Sequence, residues 1–249
     1  MNYCLIAAAG SGNRMHQGVN ANKENTLPKQ FIEINGIPVI IYTLKTVVEL
    51  NKFDKIIIAV NCDYHNICKK IIEKYGYSQN VTNIVHGGAS RIDTFFNLMD
   101  EVLNDDKGNS DSEIDSIMFL DANRPFTPSC IYNQLLDSCE KESVTVPAMN
   151  LVDGICMIEN EYIEKIPDKS KLCTFQTPEC FTLKSYKEIL ADKGKKWMSQ
   201  YLGVAEIYLA YGIKPKIIYN DRLSMKITYD IDISIAELIY NRILYDKKH

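Results

Sequence analysis

The residues of this chain best suited to chemistry are small ones followed by basic ones. Ala8-Ala9-Gly10-Ser11-Gly12 offers backbone N–H groups with almost no side chain in front of them, Arg14 follows at once, and Lys29 comes later in Pro28-Lys29-Gln30. Such N–H groups can close on phosphate oxygens, and Arg14 and Lys29 would add fixed positive charge where a polyphosphate lies. The stretch reads as a cradle for a nucleoside triphosphate. A Walker loop is a weak match because no Lys follows Gly12 at the required place, and a dinucleotide fingerprint is equally weak because it would need glycine where Met15 stands. On these residues alone, a plain strand-to-loop turn with incidental basic residues stays open. His65 and Cys68 lie near Cys62, but no second ligand pair answers them, so zinc is not expected.

The elements that must position these residues follow from the apolar pattern. The run over residues 3–9 suits a buried first strand, which places the glycine loop at its carboxyl end. Residues 15–28 are polar and without period, as in a mobile loop. A short strand over 31–34, an Asn35-Gly36 turn and a helix opened by Pro38 and running to about residue 50 come next. Strands at 56–60, 81–85, 116–120 and 143–146 then alternate with helices at 64–75, 90–103 and 131–139. Short connections between such units imply an α/β fold: a mostly parallel, Rossmann-like sheet with helices on both faces. Ligands bind such sheets at the carboxyl ends of the strands.

The rhythm breaks at about residues 150–178, where short apolar patterns at 155–158 and 171–174 flank charged and turn-forming residues. This predicts a protruding, hairpin-like arm. An arm that cannot bury itself usually packs on something else, often a second copy of the chain, so a homodimer is expected. Helices near 186–190 and 198–209, a strand at 214–219 and a last helix over 233–245 complete a single domain spanning 1–249. Lys226 falls in an alternating, strand-like stretch.

Composition narrows the function classes. With 28 basic and 32 acidic residues among 249, the net charge is −4, which argues against general nucleic-acid or anionic-membrane binding. No stretch approaches the roughly 20 apolar residues of a membrane span, and the first residues lack a signal pattern, so a cytoplasmic protein is expected. Eight cysteines without C-x-x-C pairs are expected to be reduced and mostly packed.

Six motifs in order along nearly the whole chain then carry a resemblance. They are the stretch 8–15, Pro28-Lys29-Gln30-Phe31, Gly87-Gly88-Ala89-Ser90-Arg91 with Thr94, Asp121-Ala122-Asn123-Arg124-Pro125-Phe126, Gln176-Thr177-Pro178 with Phe181, and Met225-Lys226-Ile227-Thr228 before Asp230. Together they resemble the CTP-dependent polyol-phosphate cytidylyltransferases, a nucleotidyltransferase family that includes the methylerythritol-phosphate enzymes and, closer in several places, the ribitol-phosphate enzymes. The resemblance implies that Ala8, Ala9, Gly10, Ser11 and Gly12 hold the triphosphate and ribose, and that Gly88 and Thr94 recognise cytosine and ribose, with Arg91 on the same nucleotide side. It implies Arg14, Lys29 and Lys226 as catalytic residues around the α-phosphate, and Asp121 beside the Mg²⁺-bound nucleotide as the candidate metal ligand. Arg124, Asp153, Lys169 and Thr177 fall on the acceptor side. The reaction needs cationic stabilisation of the charge on phosphorus and on pyrophosphate rather than a nucleophilic triad, and no triad is evident.

The chain departs from the family pattern in several places. Its loop over 15–28 is longer, Ser224 replaces Asn, Lys169 replaces Arg, Asp153-Gly154 replaces Asp-Thr, and a Thr-Asp segment is missing near Tyr201-Leu202-Gly203-Val204-Ala205. All but the loop and Ser224 fall on the acceptor side. The expected acceptor is a polyol phosphate, ribitol 5-phosphate first and methylerythritol 4-phosphate as the alternative. A non-catalytic nucleotide-binding homologue is the reading from another class.

Overall fold

Alternate residues of a strand face opposite sides, and in Tyr3-Cys4-Leu5-Ile6 both sides are apolar and fully buried. Tyr3 and Leu5 cluster with Phe95, Phe119 and Tyr186, whereas Cys4 and Ile6 cluster with Ile40, Leu44 and Leu135. A strand buried on both faces belongs inside a sheet covered on both faces. The computed structural model, which describes residues 1–10, 27–108 and 115–246, has that arrangement. From β1 (Asn2–Ala8) the chain passes through a small hairpin, β2 (Glu33–Ile34) and β3 (Ile37–Pro38), into α1 (Val39–Glu49), β4 (Lys55–Val60), α2 (His65–Lys74) and β5 (Asn83–His86). There follow α3 (Arg91–Gly108), β6 (Ser116–Asp121), α4 (Ser129–Cys139) and β7 (Val144–Asn150). The arm carries β8 (Met157–Glu159) and β9 (Tyr162–Lys165), after which come β10 (Cys173–Phe175), β11 (Glu179–Thr182), α5 (Leu183–Met198), α6 (Val204–Tyr211), β12 (Lys216–Tyr219) and α7 (Ile231–Asp246).

β6, β1, β4 and β5 are parallel neighbours, and β11 runs antiparallel between β6 and β7. Ala148 of β7 pairs with both Phe175 and Tyr219, so β10 prolongs the reversed strand on one side of β7 while β12 lies parallel on the other. The sheet is thus mostly parallel, with two reversed strands, β10 and β11. Side chains of α3, α5 and α6 cover one face, those of α1, α2 and α4 the other, and α7 packs through Ala236 near Val39, Phe126 and Ile227. The parallel strands deliver Ala8, Val60, His86 and Asp121 to one edge of the fold.

Several details differ from the sequence reading, each for a local reason. Phe31 ends a single 3-10 turn (Lys29–Phe31), and the strand that follows is only two residues long because Asn35 and Gly36, both at positive φ, close its hairpin. The helix expected over 198–209 is split: α5 ends at Met198, and Gly203, in extended conformation, precedes the first turn of α6. The arm's hairpin pairs β8 with β9, which the charged sequence of β9 had hidden. The pattern near 171–174 instead joins the main sheet, as β10. Lys226 lies in no strand; its neighbour Ile227 is tied to Asn123 by two backbone-directed bonds rather than by a ladder. Residues 11–26, and with them Ser11, Gly12, Arg14 and most of the long loop, lie outside the described residues. All eight cysteines are free. Among the described residues no helix is long and apolar enough to cross a membrane.

Candidate active site

The glycine loop needs something to hold its backbone, and the residue that does so is Gln30. Its side chain is almost wholly buried, and its Nε2 donates to the carbonyls of Ala8 at 2.5 Å and Gly10 at 3.3 Å. The 3-10 turn after Pro28 therefore does two things at once: it pins the loop through Gln30 and brings Lys29 to the rim of the same cavity. Gly10 has no other described side chain in front of it, so its backbone is open to a ligand.

The second wall comes from β5 and the start of α3. Ser90 caps that helix reciprocally with Asp93: the Asp93 N–H donates to Ser90 Oγ at 3.1 Å and the Ser90 N–H donates to Asp93 Oδ2 at 3.1 Å. This fixes Thr94, whose buried hydroxyl accepts from the Gly88 N–H at 3.0 Å and donates to the Ser90 carbonyl at 2.9 Å. The glycine pair is required by packing. A Cβ on Gly87 would stand 2.1 Å from the Ala9 Cβ, joining the two walls by a clash.

The third wall is the charged one. Asp121, the last residue of β6 and 6% exposed, accepts from Lys226 Nζ at 2.6 Å through Oδ2 and from Arg91 Nε at 3.4 Å through Oδ1. Arg124 Nε stands 3.9 Å from Oδ2, while its Nη1 donates to the Ser224 carbonyl at 2.6 Å. Burial alone would raise the Asp121 carboxyl; Lys226, then Arg91 and Arg124, outweigh it and hold the pKa well below the carboxylate range. Burial, helped by repulsion from Arg91, lowers the Arg124 guanidinium, whereas in Arg91 the pull of Asp121 and Glu179 overcomes burial and raises it.

Because the folded-state pKa of Asp121 is depressed, the stability it contributes is present above the unfolded carboxylate pKa of about 4 and is lost as pH falls through the folded value. Urea unfolding of the wild type and of Asp121→Asn should therefore differ most at neutral pH, and the gap should narrow only below about pH 4. A gap that stays constant down to acid would contradict this ion network.

These walls enclose a cavity of about 370 Å³ that includes Ala8, Ala9, Gly10, Lys29, Gly88, Arg91, Thr94, Asp121 and Lys226. The structure thus brings together every described candidate on the nucleotide side and both described catalytic candidates. The acceptor-side candidates are dispersed. Thr177 is buried behind the strand end, where its Oγ1 accepts from the Asp121 N–H at 3.4 Å, and Arg124 sits behind the carboxylate. Asp153 lines a separate cleft at the base of the arm with Arg222, and Lys169 Nζ donates to the Val152 carbonyl at 2.5 Å. Neither lines the nucleotide cavity of its own chain.

Four residues with clear roles were missed in the sequence. Gln30 holds the glycine loop. Asn61, directly after β4, lines the cavity and accepts from the Asp63 N–H at 3.0 Å. Asn123 donates to the Ile227 carbonyl at 2.6 Å and accepts from the Ile227 N–H at 2.9 Å, fixing the segment that carries Lys226. Glu179 binds Arg91. Gln30 and Asn123 stand within the motifs and Glu179 directly after one, but without a role of their own until burial gives them one.

Asp121 is the one acidic side chain among the described residues of the cavity wall, and no group of three His, Cys, Asp or Glu that could hold a metal occurs among the described residues. This donor set suits a magnesium ion carried on substrate phosphates with a single protein carboxylate, the usual mode for that ion, and not an all-protein cage.

Comparison with known proteins agrees with this geometry. The family model described as 2-C-methyl-D-erythritol 4-phosphate cytidylyltransferase matches residues 3–242. Among solved structures, the 4-diphosphocytidyl-2C-methyl-D-erythritol synthase of Anaerococcus prevotii is 23% identical with a TM-score of 0.75, the match covering 97% of this chain and 96% of that one. The 2-C-methyl-D-erythritol 4-phosphate cytidylyltransferase of Francisella tularensis is 18% identical with a TM-score of 0.74, covering 96% and 99%. That of Thermus thermophilus is 18% identical with a TM-score of 0.69, covering 96% and 98%. At such identities the structures speak for the shared fold, and the family model, matching nearly end to end, shows that this chain belongs to the 2-C-methyl-D-erythritol 4-phosphate cytidylyltransferase family of nucleotidyltransferases.

Proposed function

We propose that the chain transfers the cytidylyl group of CTP to the phosphate of a polyol phosphate, releasing pyrophosphate. The observation that carries this reading is the meeting of Asp121, Lys226 and Lys29 with the open glycine backbone in one cavity. A phosphate monoester is largely a dianion near neutral pH, so its oxygen attacks the α-phosphorus without a general base. One P–O bond forms to the acceptor, the bond to the bridging oxygen breaks, and pyrophosphate takes the electron pair. Lys226 and Lys29 supply positive charge where charge grows, and the Asp121 carboxylate keeps the Lys226 amine at the cavity wall. Magnesium, held on the triphosphate with Asp121, would neutralise charge on the departing pyrophosphate.

For the acceptor, the sequence departures favoured ribitol 5-phosphate, but the family description supports methylerythritol 4-phosphate better, and we take that as the first acceptor. One feature keeps ribitol 5-phosphate as a second reading. At the missing Thr-Asp segment stands Leu202, 74% exposed, with no side-chain hydroxyl to offer an acceptor. Pyrophosphate release with each acceptor decides between them. A higher kcat/KM for methylerythritol phosphate is expected, and a higher value for ribitol phosphate would replace it.

We further propose a homodimer formed through the arm. Ile158, Tyr162, Ile163 and Ile166 are 64% to 74% exposed, apart from Tyr162 at 79%, on a hairpin that packs little of its own surface. An isolated two-stranded hairpin is marginal in water. In the dimer, Asp153 and Lys169 serve the acceptor side of the partner's cavity. Light scattering should give twice the chain mass, and deletion of residues 154–168 should give monomers. A wild-type monomer at assay concentration would contradict the proposal.

A further inference from the structure

Glu179 opens β11 beside the end of β6, opposite Phe119 in the ladder, with its side chain 2% exposed. Its two oxygens are divided: Oε2 accepts from Arg91 Nη2 at 3.1 Å, and Oε1 accepts from the Ala205 N–H at 2.9 Å in the first turn of α6. Arg91 is committed on every nitrogen. Its Nη1 donates to the Leu202 carbonyl at 2.9 Å, its plane lies over the Phe119 ring at 4.7 Å, and only Nε is left for Asp121, at 3.4 Å. An arginine beside a carboxylate normally forms two parallel hydrogen bonds with it. Here Glu179 prevents that, and Asp121 Oδ2 is left to Lys226 at 2.6 Å.

We propose that Glu179 is a positioning residue for Lys226: by drawing the Arg91 Nη2 to its own Oε2, at the wall of the cavity, it keeps Arg91 from occupying both oxygens of Asp121. Removing one partner of a buried ion pair destabilises by itself, so stability does not discriminate here; the position of Lys226 and the kcat do. Division of the guanidinium between two acids requires the Glu179 carboxylate. Glutamine cannot substitute fully, because its NH₂ would replace one of the two acceptor oxygens and face a donor, either the Arg91 Nη2 or the Ala205 N–H. Gly203 gives a second access to the same guanidinium without changing the Glu179 carboxylate: a Cβ there would stand 2.9 Å from Arg91 Nη1, against 3.5 and 3.6 Å from the Glu179 oxygens, and the glycine's backbone is extended, so Gly203→Ala displaces the guanidinium without backbone strain.

The proposal rests on the nucleotidyl-transfer reading, and its test separates the two. Pyrophosphate release by the wild type with CTP and a polyol phosphate reports on the transfer reading alone. For Glu179→Gln and Gly203→Ala, the expected result is a kcat lowered about tenfold, a larger factor than any weakening of CTP binding, and Glu179→Asp should recover part of the loss. A crystal structure of Glu179→Gln should show Arg91 on both oxygens of Asp121 and the Lys226 amine displaced. That arm decides the proposal even if the wild type does not turn over. Lys226 still on Asp121 in that structure, or full kcat in both folded variants, would overturn it.

Discussion

Replacing Lys226 with alanine should lower kcat for nucleotidyl transfer by about 100- to 1,000-fold, the usual loss when one preorganised charge on a transition-state oxygen is removed. The amine lines the cavity and is held by Asp121 at 2.6 Å, in a segment fixed by the two bonds between Asn123 and Ile227. It is therefore placed before substrate arrives, which is what makes such a charge effective. Folding should change little, because Arg91 and Arg124 still face the Asp121 carboxylate. Steady-state kinetics beside calorimetric CTP binding checks this. A kcat within threefold of wild type would remove Lys226 from the transition state.

Gly88→Ala is expected to have the largest effect on nucleotide binding. Its Cβ would stand 2.2 Å from the Asp93 Cβ, 2.7 Å from the Asp93 carbonyl carbon and 2.9 Å from the Thr94 nitrogen, and two of these are backbone atoms in the first turn of α3 that cannot swing aside. The loop must separate from the helix, breaking the Gly88 to Thr94 hydrogen bond and deforming the wall. Overpacking of this kind costs about 1–3 kcal/mol of stability, and CTP affinity should fall by at least about tenfold, the loss of one hydrogen bond to a charged ligand. Gly10→Ala is the matched control, since its Cβ meets no described atom within 4 Å. That variant should keep wild-type stability and still bind CTP more weakly, because among the described residues its methyl meets nothing, and it projects where the nucleotide would lie. Thermal melts and calorimetry separate the two cases. Equal CTP affinity in both variants and the wild type would mean that the nucleotide lies elsewhere.

The parallel sheet was legible in the sequence because strands buried on both faces are short apolar runs, and the helices between them carry one apolar stripe each. β1, β4 and β6 were placed within a residue or two for that reason. The arm was legible as an interruption but not in its pairing: Tyr162-Ile163-Glu164-Lys165 is a strand with every side chain exposed, so nothing in its own burial marks it. The break between α5 and α6 was expected before residue 198 and lies at 199–203 instead, because apolar residues continue across it from Met198 through Leu202 to Ile207 while Gly203 is extended. In the site, the small and charged residues announced themselves by type. Gln30, Asn123 and Glu179 did not, since a buried polar side chain is ordinary in sequence and becomes informative only with its partners: two carbonyls, a backbone pair and a guanidinium.

The central claim is that the cavity at the strand ends transfers a cytidylyl group, and a single-turnover experiment with CTP labelled at the α-phosphate tests it most directly. With enzyme in excess, magnesium and methylerythritol 4-phosphate, the label should pass into a CDP-polyol with one equivalent of pyrophosphate, and Lys226→Ala should slow that step about 100-fold or more. Label that stays in bound CTP with methylerythritol, ribitol and other polyol phosphates alike would contradict the account and leave a protein that binds a nucleotide without turning it over.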